Sequence, residues 1–91
     1  MLYKAEVKVS LKPGVLDPQG VAVAGAVKTL GFTGVPQVRI GKLVEVWVEA
    51  ETEAEASTKV QEIGAKILAN PVMETFTFTL TLSIDRLAGV N

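Results

Sequence analysis

The 91 residues suffice for one two-layer domain, expected to span 1–91, and are too few for a separate cofactor domain and lid. No cysteine and no histidine is present, which excludes disulfides, thiolate metal sites, Ser-His-Asp triads and imidazole acid/base chemistry. A net charge of −1, from nine basic and ten acidic residues, gives no footprint for nucleic acid or an anionic membrane, and only 5% of the residues are aromatic.

The N-terminal MLYKAEVKV carries a charge every second or third residue, unlike a signal peptide or a membrane span, so a cytoplasmic protein is expected. Tyr3, Ala5, Val7, Val9 and Leu11 alternate with Lys4, Glu6, Lys8 and Ser10, the two-residue period of a half-buried strand. GVLDPQG at 14–20 comes next. Asp17 suits an N-cap and Pro18 the first helical position, where a proline loses no hydrogen bond and presets φ. Val23, Ala26, Val27 and Leu30 then recur at spacings of three and four, and Gly31 stands where a left-handed C-terminal cap belongs.

Gly34 and Pro36 punctuate a loop, after which 37–40 and 43–50 read as two strands joined by a tight hairpin at Gly41-Lys42. Glycine at the first central position of a type II′ turn takes positive φ without a Cβ clash. In the longer strand Val44, Val46, Val48 and Ala50 form the expected core face, opposite Leu43, Glu45, Trp47 and Glu49. Thr52 with Glu55 has capping-box spacing and opens a second helix, with a buried stripe of Ala56, Val60, Ile63 and Ile67 and Leu68 beside it. Asn70-Pro71 ends that helix, because a residue before proline is pushed out of the helical region. A last strand sets Phe76, Phe78, Leu80, Leu82 and Ile84 against Thr75, Thr77, Thr79, Thr81 and Ser83.

The order βαββαβ predicts an α+β, ferredoxin-like two-layer sandwich: a four-stranded antiparallel sheet of order 4-1-3-2 with both helices on one face. The bare face is expected to carry Lys4, Lys8, Arg39, Leu43, Trp47 and the threonines of the last strand. Such a fold names no function by itself.

Each candidate for chemistry has a plainer reading. GVLDPQG has glycines at both ends but lacks the Gly-Lys-Ser/Thr ending of a phosphate cradle, and Asp17 would sit where the phosphate belongs. Glu49, Glu51, Glu53 and Glu55 lack calcium-loop spacing and suit a helix N-terminus electrostatically. Arg39 and Lys42 read either as solvated charges beside Gly41 or as ligands for a phosphate or a partner's carboxylate. Trp47 is a half-buried aromatic or an interface anchor, and alone among acids it does not make an RNA-stacking platform. Asn70-Pro71 is a helix stop or a shaped contact loop.

Three runs, LKPGVLDPQG at 11–20, VRIGK at 38–42 and LANPVME at 68–74, together resemble the small subunit, PurS, of phosphoribosylformylglycinamidine synthase. The resemblance implies a step of purine biosynthesis, the ATP-dependent conversion of formylglycinamide ribonucleotide to its amidine with glutamine-derived ammonia. It implies a small, usually dimeric, non-catalytic chain that brings together a synthetase (PurL-type) and a glutaminase (PurQ-type) subunit. This chain would bind no cofactor, and ATP and Mg would be used by the synthetase. Carried over by position, Asp17, Pro18, Gln19 and Gly20, then Arg39, Gly41 and Lys42, then Asn70 and Pro71 would shape and contact the complex, with Arg39 and Lys42 as its charged contacts. The neutral final strand and the tail to Asn91 depart from the pattern expected of the family. The competing reading on the same predicted fold is an amino-acid-sensing regulatory domain of the ACT type, with a ligand near the first strand-to-helix loop.

Overall fold

A computed structural model describes residues 1–83. The predicted alternation over the N-terminus forms β1 (Leu2–Leu11), and α1 (Pro18–Thr29) succeeds it. Next come β2 (Lys42–Glu49), α2 (Glu53–Ile63), a π-helical turn over Gly64–Leu68, and β3 (Glu74–Leu82). β1 lies in the middle of a three-stranded sheet of order β2-β1-β3, antiparallel to both neighbours. The register sets Val7 between Val44 and Phe78 and Ala5 between Val46 and Leu80, so one face is apolar throughout. Ala56 and Val60 of α2 are fully buried against that face with Ala5 and Val7. Lys4, Lys8, Leu43, Trp47 and the threonines of β3 occupy the other face, in line with the alternation.

The four-stranded sheet is not formed. Residues 37–40 belong to no strand, and the hairpin at Gly41-Lys42 is absent. Gly41 does not have positive φ, so it does not make a type II′ turn. A Cβ on Gly41 would lie 2.7 Å from the Val9 carbonyl oxygen, and close backbone approach is therefore what requires glycine there. The segment before it spends its hydrogen bonds elsewhere: the Ile40 N–H donates to Asp17, and the Arg39 guanidinium reaches loop carbonyls rather than lying on the bare sheet face. β1, α1 and β2 thus form an antiparallel pair with a helical arm at its tip, not a crossover.

The two helices do not share a face. α1 buries only Gly20, while Val21, Val23 and Leu30 stay exposed, as do Phe32 and Val35 in the connection to β2. Its ends are nevertheless well made. Asp17 accepts the Gly20 N–H at 2.9 Å, Pro18 stands at the first turn, and Gly31 has φ of +90°. Gly31 N–H donates to Lys28 O and Phe32 N–H to Val27 O, the paired bonds of a Schellman cap.

At α2 the Thr52 hydroxyl accepts the Glu55 N–H at 3.2 Å, which is half of the expected capping box; the Glu55 carboxylate lies 3.7 Å from Lys59 Nζ instead. The helix widens where Ala69 N–H donates to Gly64 O, five residues back. One extra residue in the turn rotates the side chains beyond it, so Ile67 is 75% exposed and Leu68 faces inward in its place. Among the described residues no helix is long and apolar enough to cross a membrane. Ser83 lies just past β3, and the predicted strand end at Ile84 and the tail to Asn91 lie outside the described residues.

Candidate functional site

The three signature runs meet at one end of the sheet. Asp17, though charged, is 6% exposed, and both its oxygens are used: Oδ1 accepts the Gly20 N–H and Oδ2 the Ile40 N–H at 2.8 Å. One carboxylate therefore caps α1 and ties the run at 38–42 to the run at 11–20. The Ile40 and Gly20 N–H groups hold the Asp17 carboxyl below its ordinary pKa, against the opposing effect of burial and with help from the Arg39 charge. Gly20 is the contact point of the two runs: a Cβ there would collide with the Val38 carbonyl oxygen and lie 2.7 Å from Asp17 Oδ2.

Arg39 locks the same junction from outside. Its Nη1 donates to Val15 O, and its Nη2 to Leu11 O and Lys12 O, each at 3.2 Å. A planar guanidinium serves three carbonyls at once, which a single ammonium does less well. Lys12 joins the third run, donating from Nζ to Pro71 O at 2.7 Å and from its backbone N–H to Met73 O at 2.8 Å. Asn70 turns the chain there: its Oδ1 accepts the Val72 N–H, and its own N–H donates to Glu74 Oε1.

Pro18, Gln19, Gly41 and Lys42 line a shallow groove of about 330 Å³ closed by Ser10 and Glu74. Lys42 makes no ion pair or side-chain hydrogen bond among the described residues, so of the two cations chosen from the sequence it is the free one and Arg39 the committed one. Trp47 stands apart from this cluster. It pairs with Lys4 five positions along β2 from Lys42, a distance of roughly 17 Å. Lys4 Nζ lies 5.5 Å from the Trp47 ring and 2.7 Å from Glu45, and Glu45 raises the Lys4 pKa above the ordinary lysine value. The acidic residues around the α2 start make no metal-binding group of three among the described residues.

Sequence reasoning passed over Lys12, Ile40 and Glu74, all of which lie inside the quoted runs or at their ends. Lys12 and Glu74 act through bonds to residues far along the chain or across a turn, and Ile40 contributes a backbone N–H that its side chain does not advertise.

The family model of PurS, phosphoribosylformylglycinamidine (FGAM) synthase, matches residues 4–82. The chain belongs to the PurS family. The PurS subunit of Synechocystis sp. is 44% identical over 79 residues, covering 87% of this chain and 79% of that one. Among solved structures, Thermus thermophilus PurS superposes with a TM-score of 0.82 at 44% identity, covering 91% of this chain and 99% of the other. A chain of the PurLQS structure from Thermotoga maritima matches with a TM-score of 0.82 at 27% identity, over 89% and 99% of the two chains. Membership of PurS makes the protein a subunit of phosphoribosylformylglycinamidine synthase in purine biosynthesis, and a non-catalytic one. The regulatory ACT-type reading gains nothing from these relatives.

Proposed function

We propose that this chain bridges the glutaminase (PurQ-type) and synthetase (PurL-type) subunits of the enzyme so that glutamine-derived ammonia passes from one to the other, and that it works as a homodimer in the cytoplasm. The observation that carries the reading is the likeness to a chain of the T. maritima PurLQS assembly over 89% of the sequence. The geometry supports it in two ways. The arm formed by α1 and the segment after it exposes Val21, Leu30, Phe32 and Val35, apolar surface of the kind that marks protein contacts. The junction beside it is rigid, which lowers the entropy lost on docking.

In this reading the residues divide by task. Asp17, Pro18, Gly20, Arg39, Gly41, Asn70 and Pro71 hold the shape of the junction, while Gln19 and Lys42 line its groove and face the partner subunits. Trp47 anchors a separate contact on the open sheet face, where aromatic side chains contribute disproportionately. This chain holds no cofactor of its own, and ATP and Mg are used by the synthetase. The test is co-elution of the three purified proteins on a sizing column with glutamine and ATP present. One peak containing all three supports the bridge; a synthetase–glutaminase complex that forms without this chain and never binds it sinks the proposal.

A further inference from the structure

β3 is an outer strand whose far edge pairs with no other strand among the described residues. Such edges are ordinarily blunted by lysine, proline or inward charges, and β3 has none of these over its nine residues, ETFTFTLTL. Its one charge, Glu74, stands at the strand start. The opposite edge strand, β2, carries Lys42, Glu45 and Glu49. Phe76 and Phe78, stacked with ring centroids 6.5 Å apart, are only partly buried, and Leu82 is 51% exposed on the same face.

We infer that two copies of this chain pair through β3, antiparallel about a two-fold axis at Phe78, giving one sheet of order β2-β1-β3-β3-β1-β2. The inference rests on the homodimer reading above and specifies its contact. The strand is its own complement in this register. Phe78 meets Phe78 of the other copy, Thr77 meets Thr79, Phe76 meets Leu80, Thr75 meets Thr81, and Glu74 meets Leu82. Every threonine faces a threonine and every apolar residue but Leu82 faces another, on the correct sides of the sheet, and no like charges are opposed. Sliding the register by two residues keeps the sides but shortens the match, so the pairing centred on Phe78 is the longest. A closed two-fold contact of this kind uses one surface on both copies. That self-complementarity selects a second copy as the occupant over an unrelated strand.

The test uses charge at the centre of the ladder. In Thr77→Lys with Thr79→Lys, each introduced lysine faces another across the axis; in Thr77→Glu with Thr79→Glu the same holds for glutamates. Within the chain, Thr77 lies opposite Lys8 and Thr79 opposite Glu6, so each variant gains one favourable and one unfavourable neighbour. Sedimentation of the wild-type chain should give twice the 9.6 kDa monomer mass. Each charged variant should dimerise at least tenfold more weakly, with an unchanged circular dichroism spectrum, and an equimolar mixture of the two should recover the dimer. Because the chain has no cysteine, Thr77→Cys with Thr79→Cys gives an independent readout, a covalent dimer on mild oxidation. A dimer that survives both charged variants and yields no covalent dimer overturns the β3 contact while leaving the homodimer standing. A wild-type chain that stays monomeric at tens of micromolar overturns the homodimer itself.

Discussion

Replacing Gly20 by alanine, alongside the same change at Gly25, separates the structural account from helix propensity alone. Both glycines lie in α1, and propensity alone predicts that alanine stabilises a helix at either position by about 0.5–1 kcal/mol. A Cβ at Gly25 meets nothing within 4 Å, so there the propensity gain should appear undiminished. At Gly20 the new methyl group would overlap the Val38 carbonyl oxygen and sit 2.9 Å from Asp17 Cγ. Neither neighbour is the loose end of a flexible side chain: one is backbone and the other is held by two hydrogen bonds. Forcing an extra carbon into such a site costs about 1–3 kcal/mol, which outweighs the propensity gain and leaves a net loss of about 1–2 kcal/mol. At about 4–8 °C per kcal/mol for a domain of this size, Gly20→Ala should melt roughly 4–16 °C below the parent and Gly25→Ala up to about 8 °C above it. Thermal and urea denaturation at equal protein concentration read both, and concentration must be held because association shifts melting. If Gly20→Ala is stabilised as much as Gly25→Ala, the junction between the runs at 11–20 and 38–42 is not packed as described.

Other outcomes concern the same junction. The folded-state pKa of Asp17 is lowered, so its contribution to stability is present above the unfolded carboxylate value of about 4 and is lost as pH falls through the folded value. The stability gap between wild type and Asp17→Asn should therefore be widest near neutrality and shrink below pH about 4 in urea titrations; a gap independent of pH would contradict the ionised two-bond cap. For the two cations, Arg39→Lys should lower stability by about 1 kcal/mol through the lost carbonyl bonds, whereas Lys42→Ala should stay within about 0.5 kcal/mol of wild type. Binding to the partner subunits should weaken in Lys42→Ala, measured by calorimetry. Unchanged binding there would remove Lys42 from the interface.

The parts of this fold legible in the sequence are those set by near neighbours. The alternation of β1 and β3, the Asp17-Pro18 helix start, the Gly31 cap and the Thr52 cap each depend on residues close along the chain, and each forms. What sequence could not resolve depends on contacts across the chain. Gly41 is ambiguous between a positive-φ turn and a close approach, and the Val9 carbonyl that decides between them belongs to a different strand. Ile67 and Leu68 exchange places because one extra residue enters the helical turn, which leaves no trace in apolar spacing. Arg39 looked free because its three carbonyl partners are backbone atoms of a distant loop. The apolar side chains of α1 suggested burial within the chain, and pattern alone does not say whether another molecule supplies the cover. For the site, the three runs were recognisable as signatures, but that they form one interlocked junction, with Trp47 separate, required the fold.

The most direct test of the central claim is the rate of glutamine-dependent amidine formation by the purified synthetase and glutaminase subunits, with and without this chain, with free ammonia as a parallel nitrogen source. A bridging subunit predicts that adding the chain restores the glutamine-dependent rate, while the ammonia-dependent rate of the synthetase alone changes little. Equal glutamine-dependent rates in its presence and absence would contradict the account.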